Sequence, residues 1–175
     1  MTTIMVAVIL ICIITIISLG LVLINNRDRR KQKADLLEQF NKAKTDHVLS
    51  FTQKEVLEND ILGLDEKKSK LLILKRTAAG KYDAYVKDIS QLKACTHRNV
   101  FNTIDTGNIK HFKSEEHVEK IMLVLGFRDE TEPVSVFFYD KHSNYPDEIP
   151  VLNQKARQWE SILSYQMENQ LTKSA

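Results

Sequence analysis

Residues 118–140 read VEKIMLVLGFRDETEPVSVFFYD, and this stretch decides the fold class. Its first half has the alternation of a β-strand, and its second half is a short run rich in Val and Phe. Two sets alternate along the first half, namely Val118, Lys120, Met122 and Val124 on one face and Ile121, Leu123 and Leu125 on the other. The DETE segment before Pro133 predicts a hairpin connection. We therefore expect two antiparallel strands, the first covered on both faces.

Shorter apolar runs upstream of this hairpin predict further strands. They occur at 61–64 (ILGL), at 71–76 (LLILKR), twice within 81–98, and weakly at 109–112. Polar turns separate them, which is the pattern of a small antiparallel sheet. Before them, Thr52 and Glu55 have the spacing of a capping box, which predicts a short helix over about 53–59.

The last segment, VLNQKARQWESILSYQMENQ over residues 151–170, predicts an amphipathic helix. One apolar stripe recurs at helical spacing and is the expected structural core: Leu152, Ala156, Trp159 and Leu163. We therefore predict an α+β domain over 60–168, followed by a tail over 169–175. Its six or seven strands form a bent antiparallel sheet or partly open barrel that the C-terminal helix closes.

This order of elements resembles the pleckstrin-homology-like (PH-like) fold, in which a C-terminal helix carrying a Trp closes one end of a small barrel. The stretches that carry the resemblance are ILGLDEKKSKLLIL, VKDISQLKAC, VSVFFYD and NQKARQWESIL. They are also similar to parts of a group of uncharacterised, membrane-anchored bacterial proteins with such domains. The resemblance implies a fold rather than an activity, because one fold serves many functions.

The N-terminus predicts a transmembrane helix over 4–24, since Ile4 to Ile24 carries no charge and holds fifteen Ile, Leu or Val residues. A cleaved signal peptide is the alternative. Five cations follow this run and are the expected contacts with the membrane surface: Arg27, Arg29, Arg30, Lys31 and Lys33. By the positive-inside rule, residues 1–3 lie outside and the C-terminal domain in the cytoplasm, at the plasma (inner) membrane. The expected partner of residues 4–24 is the bilayer.

Residues 25–59 are interpreted as a basic juxtamembrane stalk that ends in the short helix. Leu36, Leu37, Phe40 and Ala43 fall on one helical face, which barely covers two turns. A stalk is therefore favoured over a dimerising coiled coil, although a weak homodimer through the span or the stalk stays open.

Composition argues against several functions. The net charge of +2 divides into +3 over residues 27–47 and −1 over the remainder, so nucleic-acid binding is not expected. The sequence has no phosphate-binding glycine loop, and its two cysteines predict neither a disulfide framework nor a zinc site. Cys95 and His97 could form a nucleophilic pair, but a packed thiol is favoured. Lys67, Lys68 and Lys70 lie in an acidic turn and lack the basic pattern of a lipid-headgroup site.

We therefore expect a non-enzymatic module, without cofactor or metal, that a single membrane helix anchors and that binds a protein partner. The expected surfaces are the strand edge at 134–139 and the groove beside the last helix, where an extended peptide could add as a strand. Two alternatives remain. One is a structural subunit that acts mainly through its transmembrane helix, and the other is a ligand-binding or enzymatic domain with residues 99–116 as a lid.

Overall fold

The structure, a computed structural model, describes residues 2–77, 79–102 and 117–173. Within its long helices, the side chains of 2–7, 9, 21, 22, 24–26 and 171–173 lie outside the description. The strand predicted at 109–112 and most of the predicted lid, 99–116, also fall outside the described residues.

Among the described residues, seven strands form two antiparallel sheets between two long helices. The first sheet has the order β1-β2-β3-β4 and the second the order β5-β6-β7. The strands are β1 Gln53–Val56, β2 Asp60–Asp65, β3 Lys70–Arg76, β4 Tyr82–Asp88, β5 Leu92–Asn102, β6 His117–Phe127 and β7 Val134–Asp140. Helix α1 is Thr2–Asp46, and helix α2 is Ile149–Lys173. The described part of the domain is therefore α+β, with all strand pairs antiparallel.

The main core lies between the two sheets and α2. Alternate residues of β6, among them Ile121, Leu123 and Leu125, are fully buried there. Met122 and Val124 on the opposite face are only half-buried, so the predicted cover is complete on one face of this strand. From α2, Ala156 and Leu163 are 0% exposed and Trp159 is 3% exposed. Leu152 is half-buried and packs against the same core. The helix thus places its apolar stripe against the sheets, with Trp159 as its largest buried side chain.

A second core lies on the outer face of the first sheet, under the second half of α1. Leu36 and Phe40 are 0% and 1% exposed, and they pack with Ile61 and Leu72. The space for the Phe40 ring exists because β2 has a glycine beneath it. A Cβ at Gly63 would lie 2.7 Å from Phe40 Cζ. Residues interpreted as a stalk therefore help to build the domain.

The apolar run at the N-terminus predicts a transmembrane helix, and the structure corrects this expectation. Among the described residues, no helix is long and apolar enough to cross a membrane. This finding contradicts the predicted span over 4–24 and the plasma-membrane location derived from it.

The short helix predicted over 53–59 is replaced by strand β1, Gln53–Val56. The four β1 residues pair antiparallel with β2, from Gln53 opposite Leu64 to Val56 opposite Ile61. The Thr52 hydroxyl donates to Leu64 O at 3.1 Å, so it serves the sheet and caps no helix. Tertiary pairing with β2 therefore outweighs the local capping signal.

The second core makes a prediction about truncation. A fragment that begins at Val48 lacks Leu36 and Phe40, so it should be less stable than a fragment that begins at Arg27. We expect a loss of at least about 3–5 kcal/mol, the typical cost of removing one buried Phe. Urea unfolding measures the difference. Equal stability of the two fragments would mean that α1 does not contribute to the core.

Trp159 can be tested in the full chain. Trp159→Ala should lower the free energy of unfolding by about 3–5 kcal/mol, because it leaves a large cavity, and Trp159→Phe should cost less. Tyr165→Ala is the matched control, since Tyr165 lies on the same helix with 62% of its surface exposed. If Trp159→Ala were as mild as this control, Trp159 would be a surface residue.

Candidate functional site

The edge of β7 is one of the two surfaces expected to accept a partner strand, and two side chains of the first sheet already occupy it. The Phe137 N–H donates to Asp60 Oδ2 at 2.8 Å. The Lys75 ammonium donates to Ser135 O at 2.6 Å. Outward backbone groups two residues apart on one strand are those that a neighbouring strand would bind. Asp60 and Lys75 thus take the place of a strand and close this edge.

Asp60 and Lys75 are positioned by the pairing of β2 with β3, where they lie directly opposite each other. Asp60 is 2% exposed. Burial raises the pKa of its carboxyl to about 6, while the Phe137 amide and the Lys75 charge act in the opposite direction. A buried carboxyl with a raised pKa beside a cavity makes Asp60 a candidate functional residue.

The edge of β5 is the second expected surface, in the groove beside α2. Among the described residues, β5 pairs only with β6. The His97 N–H points away from β6 and donates to Glu160 Oε1 of α2 at 2.9 Å. Because outward and inward groups alternate along an antiparallel strand, the backbone groups of Cys95 and Asn99 point to the same side as those of His97. A row of backbone groups therefore faces the groove.

Helix α2 follows β5 in the opposite direction. Asn153 Nδ2 donates to Asn99 Oδ1 at 3.3 Å, and Glu160 contacts His97 further along. The far end of the groove opens into a cavity of about 420 Å³ whose lining includes Leu92 and Met167. The two contacts between α2 and β5 join polar groups, Asn153 with Asn99 and Glu160 with His97, which suits recognition through hydrogen bonds.

Cys95 and His97 lie on the groove side of β5, but they do not form a nucleophilic pair. Burial, with a contribution from the Glu160 charge, raises the pKa of the Cys95 thiol to about 12. The thiolate is the nucleophile, and at neutral pH this thiol stays protonated. His97 Nε2 is buried without a hydrogen-bond partner among the described residues. In the same part of the chain, no three His, Cys, Asp or Glu side chains are grouped to hold a metal ion.

Of the five basic residues of α1 expected at a membrane surface, two contact the domain and three are exposed. Lys33 forms an ion pair with Glu58 at 2.8 Å, and Arg29 lies 3.7 Å from the same carboxylate. The Arg29 guanidinium also lies 5.4 Å from the centre of the Tyr145 ring. Arg27, Arg30 and Lys31 are exposed. Two of the five cations thus help to hold α1 against the domain.

Two of the three lysines of the first hairpin, Lys68 and Lys70, make structural contacts, and Lys67 is exposed. The Lys68 N–H donates to Asp65 Oδ1 at 3.0 Å, and its ammonium donates to Val48 O. Lys70 forms an ion pair with Asp88 at 2.8 Å. In Asp65, the amide bonds from Ser50 and Lys68 outweigh the effect of burial, so the pKa of its carboxyl is lowered. This turn therefore ties the segment after α1 to β2 and β3.

Three residues of these candidate sites were not predicted from the sequence: Asp60, Lys75 and Glu160. Their partners lie 60 to 77 residues away in the chain. One local signal existed for Asp60, because a charge directly precedes the apolar run 61–64 that becomes a fully buried strand. Glu160 had no such signal, since its position on α2 is simply off the apolar stripe.

No family model, curated protein or solved structure matches this chain.

Asp60 makes the stability depend on pH in a defined direction. Its pKa is 3.8 when exposed and about 6 in the fold, so its contribution is fully present below pH 3.8 and is lost as pH rises through 6. At about 1.4 kcal/mol per pKa unit, the loss is about 3 kcal/mol. Asp60→Asn keeps an acceptor for Phe137 and removes this loss.

The measurement is the free energy of unfolding between pH 4 and 7.5 for the wild type, for Asp60→Asn and for Asp129→Asn, an exposed carboxyl remote from Asp60. The difference between wild type and Asp60→Asn should change by about 2–3 kcal/mol across this range in favour of the variant. Asp129→Asn should follow the wild type. Parallel curves for wild type and Asp60→Asn would show that Asp60 titrates normally.

Proposed function

We propose that this chain is a non-enzymatic, PH-like interaction module that binds an extended peptide segment of a partner protein. The peptide adds as a further strand to β5, in the groove beside α2. The observation that carries the proposal is the outward His97 N–H, which a half-buried side-chain carboxylate, Glu160, binds at 2.9 Å. A peptide carbonyl can replace this carboxylate, because both are hydrogen-bond acceptors.

The choice of β5 follows from a comparison of the sheet edges. On β7, two outward backbone groups are already bonded by the side chains of Asp60 and Lys75. Strand β1 has only four residues, which gives an added strand few bonds. Strand β4 forms an ion pair from Lys87 to Glu130 in the connection between β6 and β7, and charged side chains discourage pairing at an edge. Strand β5, with eleven residues beside a helix, offers the longest backbone row.

The PH-like assignment is supported by the strand order. Seven antiparallel strands followed by a closing helix with a buried Trp agree with the six or seven strands and the Trp-bearing helix that the resemblance implies. Binding of extended peptides to sheet edges provides affinity through the backbone and specificity through alternate side chains. Neither requires a catalytic group, and the protonated Cys95 thiol supplies none.

The test is selection of peptides from a displayed random library against the full chain, followed by binding and NMR measurements on the selected sequence. Asn99→Pro removes one outward N–H of β5, a change that edge strands tolerate. It should weaken binding by about tenfold, or 1.4 kcal/mol. Ser135→Pro is the matched control on the closed edge of β7, and it should leave the affinity unchanged.

Amide signals of residues 95, 97 and 99 should shift when the peptide binds. The proposal is contradicted if the selected peptides shift amides of β7 alone, or if Asn99→Pro binds like the wild type. Circular dichroism of both proline variants ensures that a loss of binding reflects the edge and not a loss of fold.

A second candidate function is assembly through the N-terminal half of α1. Nine apolar side chains between Val8 and Leu23 are 47–69% exposed. Contiguous exposed apolar surface of this kind marks an interaction site. Deleting residues 2–26 separates the two functions, because it should abolish assembly and leave peptide binding at β5 intact. Light scattering measures the first result, and the peptide titration measures the second.

A further inference from the structure

The cavity of about 420 Å³ at the far end of the groove lies beside the first residues of β5 and the C-terminal part of α2. Its apolar lining consists of Ile89, Leu92 and Met167. Ile89 and Leu92 are 1% and 3% exposed, so they form the base of the cavity. The other members of the lining are polar or charged: Ser90, Gln91, Lys93, Arg128, Asp129 and Gln170. The cavity therefore combines an apolar base with a charged rim.

A β-bulge places Lys93 at this rim. Leu92 pairs with Phe127 and Ala94 pairs with Gly126, so Lys93 is an extra residue without an opposite residue on β6. Bulges redirect side chains and are frequent beside functional sites. Lys93 is exposed and lines the cavity. The irregularity in β5 thus supplies the first cation of the rim.

Arg128 reaches the same rim from the end of β6. Its N–H donates to the carbonyl oxygen of Gln91 at 2.9 Å, which holds the turn after β6 against the residue that precedes β5. Arg128 is exposed. Two cations from neighbouring strands therefore line one cavity.

The charges of the lining leave an excess of one positive charge. Lys93 and Arg128 are its two cations, and Asp129 is its one carboxylate. Asp129 accepts a hydrogen bond at 2.6 Å from a neutral side-chain amide. None of the ion pairs between described residues includes Lys93 or Arg128. The two acids that flank the rim along the chain, Asp88 and Glu130, form ion pairs with lysines outside the lining.

We propose that this cavity binds a monocarboxylate with a short apolar body, its carboxylate held by Lys93 and Arg128 and its apolar part placed against Leu92 and Met167. One negative charge matches the excess of one positive charge, whereas a phosphate monoester would bring about −1.5 to −2. The planar guanidinium of Arg128 can bind both oxygens of a carboxylate. The apolar base favours an alkyl chain over a bare anion. The carboxylate can belong to a free alkanoic acid or to the C-terminal residue of a polypeptide.

The experiment titrates the full chain at pH 7.5 and constant ionic strength with four probes: hexanoate, acetate, neutral hexanamide, and N-acetyl-Gly-Leu with a free C-terminus. NMR follows the amides of Gln91, Lys93 and Arg128, which are distinct from the amides of residues 95, 97 and 99 that report on strand addition to β5. Hexanoate should shift these amides with saturation, and hexanamide should not. Acetate should bind at least about tenfold more weakly than hexanoate, because it lacks four CH₂ groups.

The carboxylate probes also distinguish the two sources of the ligand. Tighter binding of hexanoate identifies a free acid, and tighter binding of N-acetyl-Gly-Leu identifies the C-terminus of a polypeptide. Both results support the site.

Two charge variants, each with a matched control, sharpen the test. Lys93→Gln and Arg128→Gln should each weaken hexanoate binding by at least about threefold, since each removes one exposed charge contact. Lys81→Gln and Arg157→Gln remove exposed cations outside the lining and should leave the affinity unchanged. The proposal is overturned if hexanoate causes no saturable shift, if hexanamide or acetate binds as tightly as hexanoate, or if both Lys93→Gln and Arg128→Gln bind like the wild type.

Discussion

Two hydrogen bonds join side chains of the first sheet to the backbone of β7, and they fix how the two sheets meet at this edge. Phe137 and Ser135 present backbone groups at an open edge, and Asp60 and Lys75 bind them. An unpaired edge is a risk for a β-protein, because other strands can pair with it. By closing β7 with side chains, the fold joins its two sheets on this side. The same contact places a buried carboxylate beside a cavity. Strand β5 is the longest edge strand of the described residues, and the carboxylate that binds its His97 N–H, Glu160, is only half-buried.

The centre of the first sheet, β2 and the middle of β3, is covered on both faces, and this explains the sequence of these strands. All six residues of β2 are buried, including Asp60, Gly63 and Asp65. One face contributes to the main core, and the other lies under Phe40 and its neighbours on α1. Gly63 allows the Phe40 and Phe51 rings to approach each other with centres 4.9 Å apart. The second half of α1 is therefore a structural part of the domain, and truncation there should affect the fold.

The strands and the last helix could be predicted because their signals are local. Apolar alternation in 118–125 and the stripe through Trp159 each reflect burial against a single neighbouring layer. The capping-box spacing of Thr52 and Glu55 predicted a helix over 53–59, and this prediction is wrong because the segment pairs with β2, which outweighs a local helix preference. The packing of Leu36 and Phe40 on β2 was not predictable, since an amphipathic helix does not specify which surface it covers. Contacts such as Asp60 with Phe137 join residues 77 apart, and no local pattern reports them.

Native-state hydrogen exchange of two amides tests directly whether side chains close the edge of β7 more tightly than that of β5. The Phe137 amide is bonded to Asp60, which is 2% exposed, whereas the His97 amide is bonded to the half-buried Glu160. An amide exchanges when its bond opens, so the Phe137 amide should exchange at least about tenfold more slowly than the His97 amide, a difference of about 1.4 kcal/mol in opening free energy. Equal rates, or slower exchange at His97, would contradict the assignment of β7 as the closed edge and β5 as the open one.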